Sequence, residues 1–168
     1  MSATTTTGVL FVCHANMCRS PLAEGIFRHL ARARGMLHQL HIDSAGSSAI
    51  EGCAPHPLSI QSAQAHGFEL EGRGRQLLRV DLTRFEHVIL MDRQNRSDLS
   101  RMLSPSAFGA LEGFRATVRL IRELSHPQLS GPELDIQDPL RMGYEGYERM
   151  YPLLEHGCNA LLDEIAAR

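Results

Sequence analysis

At 168 residues, with 43% hydrophobic and 21% charged side chains and a net charge of −2, the chain has the composition of one globular domain. That charge excludes the global basic field that nucleic acid or an anionic membrane would select, so any anion binding must be local. A domain of this length buries roughly 70% of the surface of its unfolded chain, enough for a core without disulfide or metal staples.

In chain order, residues 1–7, with the run Thr4–Thr7, read as a flexible N-terminal tail, and 8–168 as the domain. Gly8–Cys13 reads as a strand whose apolar run is too short for a signal-peptide core or a membrane span. Pro21–Arg34 reads as a helix, with Leu22, Ile26, Phe27 and Leu30 at helical spacing, Pro21 in the first turn and Gly35 as the stop. Leu40–Ser44 is a second strand, Pro57–His66 a helix stopped by Gly67, Asp81–Phe85 a helical turn and His87–Met91 a third strand. Asp92 is placed to cap a helix running to about Met102. Thr117–Ile121 is a fourth strand, Gly131–Arg141 a polar loop and Tyr144–Ala167 a long final helix.

Strands alternating with helices imply an α/β fold: a single-domain three-layer sandwich, with a four-stranded parallel sheet flanked by helices on both faces. Ligands of such sheets sit at the carboxyl ends of the strands, beside a topological switch point. Cys13 ends the first expected strand.

The chemistry concentrates there, in Cys13-His14-Ala15-Asn16-Met17-Cys18-Arg19-Ser20. A loop from a strand end to a helix start aims backbone N–H groups at one spot, where a phosphate fits. The same field favours a thiolate, which makes Cys13 a candidate nucleophile. Arg19 can fork two donors onto phosphate oxygens, and Ser20 can donate a hydroxyl to the thiolate. Two small buried hydrophobes would be the blander reading of Cys13 and Cys18, but it leaves the arginine spacing and the strand and helix flanks unexplained.

The four cysteines are Cys13, Cys18, Cys53 and Cys158, and with no signal peptide ahead of them a reducing, cytoplasmic setting is expected. No second ligand pair completes a zinc site with Cys13 and Cys18; neither a metal nor another cofactor is expected. A thiolate attacking phosphorus expels an oxygen that needs a proton, which calls for a carboxylic acid on a loop. Asp138 is the candidate, in Asp135-Ile136-Gln137-Asp138-Pro139, about 125 residues downstream, with Asp135 as the fallback. Arg73 and Arg75 are expected in solvent. Tyr144, Tyr147 and Tyr151, at helical spacing, are expected to pack the last helix with their hydroxyls at its edge. Gly72-Arg73-Gly74 lacks a third glycine and a preceding strand, so no dinucleotide site is expected.

Cys13 to Pro21 resembles the active-site loop of the low-molecular-weight protein-tyrosine phosphatases. Asp43-Ser44-Ala45-Gly46, Met91-Asp92 and Asp138-Pro139 follow in that family's order and at about its spacing. The resemblance implies Cys13 as nucleophile, Arg19 as transition-state clamp, and Asp138 as general acid and then base. It implies His14, Ala15, Asn16, Met17, Cys18 and Ser20 as the phosphate loop, with Ser20 assisting the thiolate and Asn16 and Ser44 supporting the loop. Cys18 would capture an oxidised Cys13 as a reversible disulfide.

Departures from the family refine this reading. The family has glycine at Ala15, which implies strain of roughly 1 kcal/mol if the position takes positive φ. A family histidine is missing from Glu71-Gly72-Arg73-Gly74-Arg75-Gln76, with Arg73 as the expected replacement. The aromatic wall of eukaryotic members is Ile50 here, and the tyrosine pair after Asp-Pro is Leu140-Arg141. Met17, Ile50 and Leu140 give apolar walls suited to a phosphotyrosine ring. The aliphatic wall, Leu70-Glu71-Gly72 and Arg141 resemble bacterial phosphatases paired with exopolysaccharide tyrosine kinases. That implies a partner, the tyrosine-rich tail of a membrane kinase, with no nucleic acid and no membrane insertion. Three alternatives stand beside this. Phosphoarginine phosphatases on the fold carry threonine at the position of Met17. Arsenate reductases need a further cysteine pair, which this chain lacks between Cys53 and Cys158. The third is a non-catalytic phosphate-binding or redox-switch module using the same loop only to hold an anion; the presence of both Cys13 and Asp138 argues against it, since pure binding needs neither.

Overall fold

The computed structural model describes residues 6–104 and 114–168. Four strands, β1 (Thr7–Cys13), β2 (Leu40–Gly46), β3 (His87–Leu90) and β4 (Thr117–Leu120), form a parallel sheet in the order β2-β1-β3-β4. The central strands β1 and β3 are apolar at nearly every position because both of their faces are covered. Alternation along β1 sorts the core into two layers. Val9 and Phe11 pack with α1 (Arg19–Ala33), α2 (Pro57–Ala65) and α6 (Gly143–Ala166). Leu10 and Val12 pack on the other face with Leu82 of α3 (Asp81–Arg84) and Leu99 of α4 (Arg93–Met102). The three-layer α/β expectation is met.

From β1 the chain crosses to one side for β2 and later to the other side for β3. The switch point therefore lies at the carboxyl end of β1, where Cys13 stands beside Gly46 in register. The helix boundaries follow local chemistry. Gly35 (φ +68°) and Gly67 (φ +86°) take the left-handed conformation just past α1 and α2. Asp92 caps α4 as read: its Oδ1 accepts from the Asn95 N–H at 2.7 Å, while Asn95 Oδ1 accepts from the Asp92 N–H at 3.2 Å.

Several boundaries differ from expectation: α1 opens at Arg19 rather than Pro21, β2 runs on to Gly46 and β3 stops at Leu90. Thr7 is not tail but the first residue of β1, paired with Leu40; residues 1–5 of the expected tail lie outside the described residues. Ile121 does not end β4 but opens α5 (Ile121–Ser125), because Glu123 accepts the Leu120 N–H at 2.8 Å and turns the chain into a helix. The stretch 131–141 is not wholly irregular: it carries short 3₁₀ turns at Gly131–Leu134 and Pro139–Arg141, each with a proline in its first turn.

α5 and α6 cross at Gly157. A Cβ there would fall on the Ile121 side chain and stand 2.7 Å from the Ile121 carbonyl oxygen. Alanine is better than glycine inside a helix by about 1 kcal/mol, but overpacking against backbone costs about 1–3 kcal/mol. Gly157→Ala is therefore expected to lower Tm, by roughly 2–4 °C per kcal/mol of net loss. A calorimetric Tm equal to or above that of the parent would show that the two helices can part.

Candidate active site

β1 delivers Cys13, 2% exposed, to the sheet edge, and α1 opens six residues later at Arg19. The joining loop lies directly on β2. A Cβ at Gly46 would stand 2.6 Å from the His14 carbonyl oxygen and 2.9 Å from the Asn16 nitrogen, so only glycine admits this approach. The loop's carbonyls are bound to the protein body. Cys13 O accepts from Ser47 N (3.0 Å), His14 O from Ser48 N (2.8 Å), Met17 O from His56 N (2.8 Å) and Cys18 O from Ser59 Oγ (3.3 Å). A trans peptide points its N–H opposite its C=O. These bonds therefore turn the N–H groups of His14, Ala15, Cys18 and Arg19 to the opposite side, as an anion cradle requires. The unpaired N–H groups of the first turn of α1 add to the same field.

Asn16 is the turning point, at φ +54°, and it is the one non-glycine with positive φ among the described residues. Asparagine tolerates that conformation better than most residues. The strain expected at Ala15 is absent, because the left-handed residue is the next one along. Asn16 is 2% exposed and fully engaged. Its Oδ1 accepts from the Arg75 N–H (3.0 Å), and its Nδ2 donates to Ser20 Oγ (2.9 Å) and Ser44 Oγ (3.0 Å). Ser20 Oγ in turn lies 3.0 Å from Cys13 Sγ.

Arg19 is 4% exposed, and its guanidinium is held from two sides. Nη1 donates to Asp92 Oδ2 at 2.5 Å and to the Ile136 carbonyl at 2.9 Å, and Nη2 stands 3.7 Å from Asp138 Oδ2. Burial works against the charge, but Cys13, Asp92 and Asp138 more than offset it, and the Arg19 pKa lies above its ordinary value. The side chain of Asp138 is 52% exposed, with Oδ1 accepting from the Leu140 N–H at 3.2 Å. Asp135 is differently placed. Arg93 grips both of its oxygens at 2.9–3.2 Å, and that pairing holds its carboxyl below the usual range. Of the two carboxylates, Asp138 stands beside Arg19 in a loose contact, whereas Asp135 is committed to Arg93. A cavity of about 440 Å³ runs alongside, lined by Arg19, Asp92, Arg93, Asp135 and Asp138 among others.

Of the expected wall residues, Ile50 is 64% and Leu140 51% exposed, both large apolar side chains left in solvent. Met17 is half-buried and packs against the core on the α1 face. His14 is exposed, Cys18 buried, and Ser44 6% exposed on β2.

Three residues do more than the sequence disclosed. Asp92 was legible as a helix cap, and its second oxygen anchors Arg19. Its signal is its place, directly after β3, with the Met91 N–H bonded to the Val12 carbonyl beside Cys13. Arg75, expected in solvent, is instead wedged between Asp43 (2.9 Å) and Asp81 (3.0 and 3.2 Å), and its backbone holds Asn16. The loop-supporting role expected of Arg73 falls to Arg75, and Arg73 is exposed. Tyr147, expected with its hydroxyl at the helix edge, is 0% exposed. Its Oη lies 3.1 Å from Cys18 Sγ and 3.0 Å from His56 Nδ1, so α6 reaches the loop. Burial, tempered by the Tyr147 hydrogen bond, pushes the Cys18 thiol up to about 11. Among the described residues no three His, Cys, Asp or Glu side chains gather as a metal site would.

This geometry agrees with what the chain is similar to. The family model for low molecular weight phosphotyrosine protein phosphatases matches residues 8–168. The low molecular weight protein-tyrosine-phosphatase YfkJ of Bacillus subtilis is 35% identical over 159 residues, 94% of either chain. Its crystal structure superposes with a TM-score of 0.82 at 30% identity, covering 97% of this chain and 96% of that one. The low molecular weight phosphotyrosine protein phosphatase of Sus scrofa is 30% identical over 166 residues, 98% of this chain and 99% of the relative. A Drosophila arginine phosphatase also superposes, with a TM-score of 0.80 at 28% identity, over 94% of this chain and 96% of that one. The chain thus belongs to the low molecular weight phosphotyrosine protein phosphatase family.

Proposed function

We propose that this phosphatase hydrolyses phosphotyrosine monoesters on proteins through a cysteinyl-phosphate intermediate. The observation that carries the reading is the convergence of Cys13, Ser20, Arg19 and Asp138, with Ser20 Oγ 3.0 Å from Cys13 Sγ and Asp138 Oδ2 3.7 Å from Arg19 Nη2. The Cys13 thiolate attacks phosphorus, forming the S–P bond as the P–O bond to the tyrosine ring breaks. Asp138 gives its proton to the departing phenolate oxygen. The loop N–H groups and the Arg19 donors not taken by Asp92 and Ile136 carry the charge on the phosphoryl oxygens. In the second half the Asp138 carboxylate takes a proton from the water that attacks phosphorus. The S–P bond breaks, and the returning thiolate accepts the hydrogen bond of Ser20.

Phosphotyrosine is favoured over phosphoarginine by the walls. Ile50 and Leu140 offer apolar area to a ring, and Met17 places a thioether where a hydroxyl would be wanted for a guanidino group. The aliphatic Ile50, the Leu70-Glu71-Gly72 run and Arg141 support a cytoplasmic role on the tyrosine-rich tail of a membrane kinase of exopolysaccharide production. Cys18 serves as the thiol that captures Cys13 once peroxide has made it a sulfenic acid: the S–S bond forms and water leaves. Support for this is that both thiols are free and share one loop.

Cys13→Ser should abolish turnover of aryl phosphates, and appreciable residual turnover would refute the nucleophile. Asp138→Ala should slow phenyl phosphate on the order of 100-fold or more and p-nitrophenyl phosphate far less, since only the poorer leaving group needs the proton. An equal loss on both would move the acid elsewhere. Among phosphotyrosine, phosphoserine and phosphoarginine peptides the first should turn over fastest; a preference for phosphoarginine would overturn the substrate reading.

A further inference from the structure

Helix α1 carries a polar stripe, Ser20, Glu24 and Arg28, at i, i+4 and i+8, so the three share one face. That face lies along β2. Ser44 Oγ donates to Glu24 Oε2 at 2.7 Å. Arg28 donates to Glu24 Oε1 through Nε (3.1 Å) and Nη2 (2.9 Å), and also reaches the Ile42 carbonyl of β2. The Glu24 side chain is only 15% exposed. Nothing in the reaction above uses it.

The donors and acceptors fix how each group from Glu24 to Asn16 is oriented, and leave Ser20 one hydrogen to place. The Arg75 N–H fixes Asn16 Oδ1 as an acceptor, so both Nδ2 hydrogens go to the two serines. Ser44 therefore accepts from Asn16, and its own hydrogen needs another acceptor. An ionised Glu24 can only accept, and it takes that hydrogen. Ser20 likewise accepts from Asn16, and its hydrogen is left for Cys13 Sγ at 3.0 Å or the Ala45 carbonyl at 3.4 Å. Resting on Cys13 as the nucleophile, we infer that Glu24 is a positioning residue. As the terminal acceptor, it fixes the direction of a hydrogen-bond chain, Glu24–Ser44–Asn16–Ser20, that delivers its last hydrogen to Cys13.

Without an acceptor at position 24, the Ser44 hydroxyl hydrogen is buried and unpaired. Ser44 then rotates or drifts, Asn16 loses one of its three anchors, and Ser20 is free to turn to Ala45. Burial raises the Glu24 carboxyl above its ordinary value, while Ser44 and Arg28 lower it and Asp43 adds to the rise. Arg28 on α1 and Asp43 and Ser44 on β2 act on it directly, and the neighbouring groove adds His29, Arg32, Gln64, Glu69 and Glu71.

The test reads Cys13 directly, as the rate of its alkylation by iodoacetate at one mildly acidic pH, in phosphate-free buffer, with each cysteine followed by peptide mass spectrometry. Glu24→Met should slow Cys13 alkylation about five- to tenfold. Glu24→Gln keeps one acceptor: with Oε1 turned to Ser44, and Arg28 left to the Ile42 carbonyl, it should restore most of the rate. Ser44→Ala should slow Cys13 alkylation comparably and add little when combined with Glu24→Met. Parent-like alkylation in a folded Glu24→Met protein overturns the proposal, as does equal loss in the Gln and Met variants, or full additivity with Ser44→Ala. If Glu24→Met does not fold, Ser44→Ala and Glu24→Gln carry the comparison alone: both parent-like, or both equally slowed, overturns it. Because alkylation needs no phosphatase turnover, the expected pattern in a protein inert on aryl phosphates would sink the proposed function and leave this inference standing.

Discussion

The five residues between Cys13 and Arg19 must turn a strand into a helix while facing their N–H groups inward, and the site depends on how that is done. An αR–αL succession, with one residue in the left-handed region, is one backbone geometry that gathers N–H groups around an anion. Here that residue is Asn16, and its side chain is then used to hold the conformation it has adopted. Each of its polar atoms meets a different element: the backbone at Arg75, Ser44 on β2 and Ser20 on α1. Glycine would take the same φ more cheaply, but it would leave Ser20 unoriented and the loop untied from β2. Asparagine accepts some backbone strain in exchange for three anchors. Gly46 supplies the complementary condition, since any Cβ there would push into the His14 carbonyl and the Asn16 nitrogen.

Arg19 is the second constrained group. A buried guanidinium is costly unless paired, and here Asp92 and the Ile136 carbonyl pair it from one side only. Asp92 is available because it lies two residues past the end of β3, where it caps α4 with one oxygen and binds Arg19 with the other. The unspent donors of Arg19 face the cleft, where Asp138 approaches without closing a tight bridge, at 3.7 Å. A bidentate clamp of the Arg93–Asp135 kind would hold the carboxylate ionised and fixed. The looser contact leaves Asp138 accessible to solvent, which suits the proton-donor role proposed for it.

Much of this was legible in the sequence, and what was not has a common cause. The strands, the helices with their glycine stops, the Asp92 cap and the loop from Cys13 to Ser20 follow from periodicity and local turn chemistry, which operate over a few residues. Ile121 failed because a β-branched residue at the end of an apolar run cannot report that Glu123, two residues on, captures the Leu120 N–H. The roles of Arg75 and Tyr147 were missed for a different reason. Arg75 supports Asn16 through its backbone, and a backbone N–H leaves no trace in side-chain identity. Tyr147 reaches Cys18 from a helix about 130 residues away, and helical spacing tells which face it occupies but not what that face meets. In the sequence Asp138 differs from Asp135 by the Pro139 beside it, whereas in the structure the two carboxylates differ because Arg93 grips Asp135.

The final helix has a consequence for how the site is held. α6 lies in the same core layer as α1, and through Tyr147 it also touches Cys18 at the start of α1. His56, at the head of α2, contributes its backbone N–H to Met17 and its ring to Tyr147. The second half of the loop is thus fixed by the head of α2 and by the final helix, and the first half by β2 and the segment at Arg75. Neither half rests on its sequence neighbours alone. A phosphate cradle encoded in eight contiguous residues therefore has its shape only when the whole domain is assembled, and the weak local stability of a strand-to-helix loop is replaced by the cooperativity of the core.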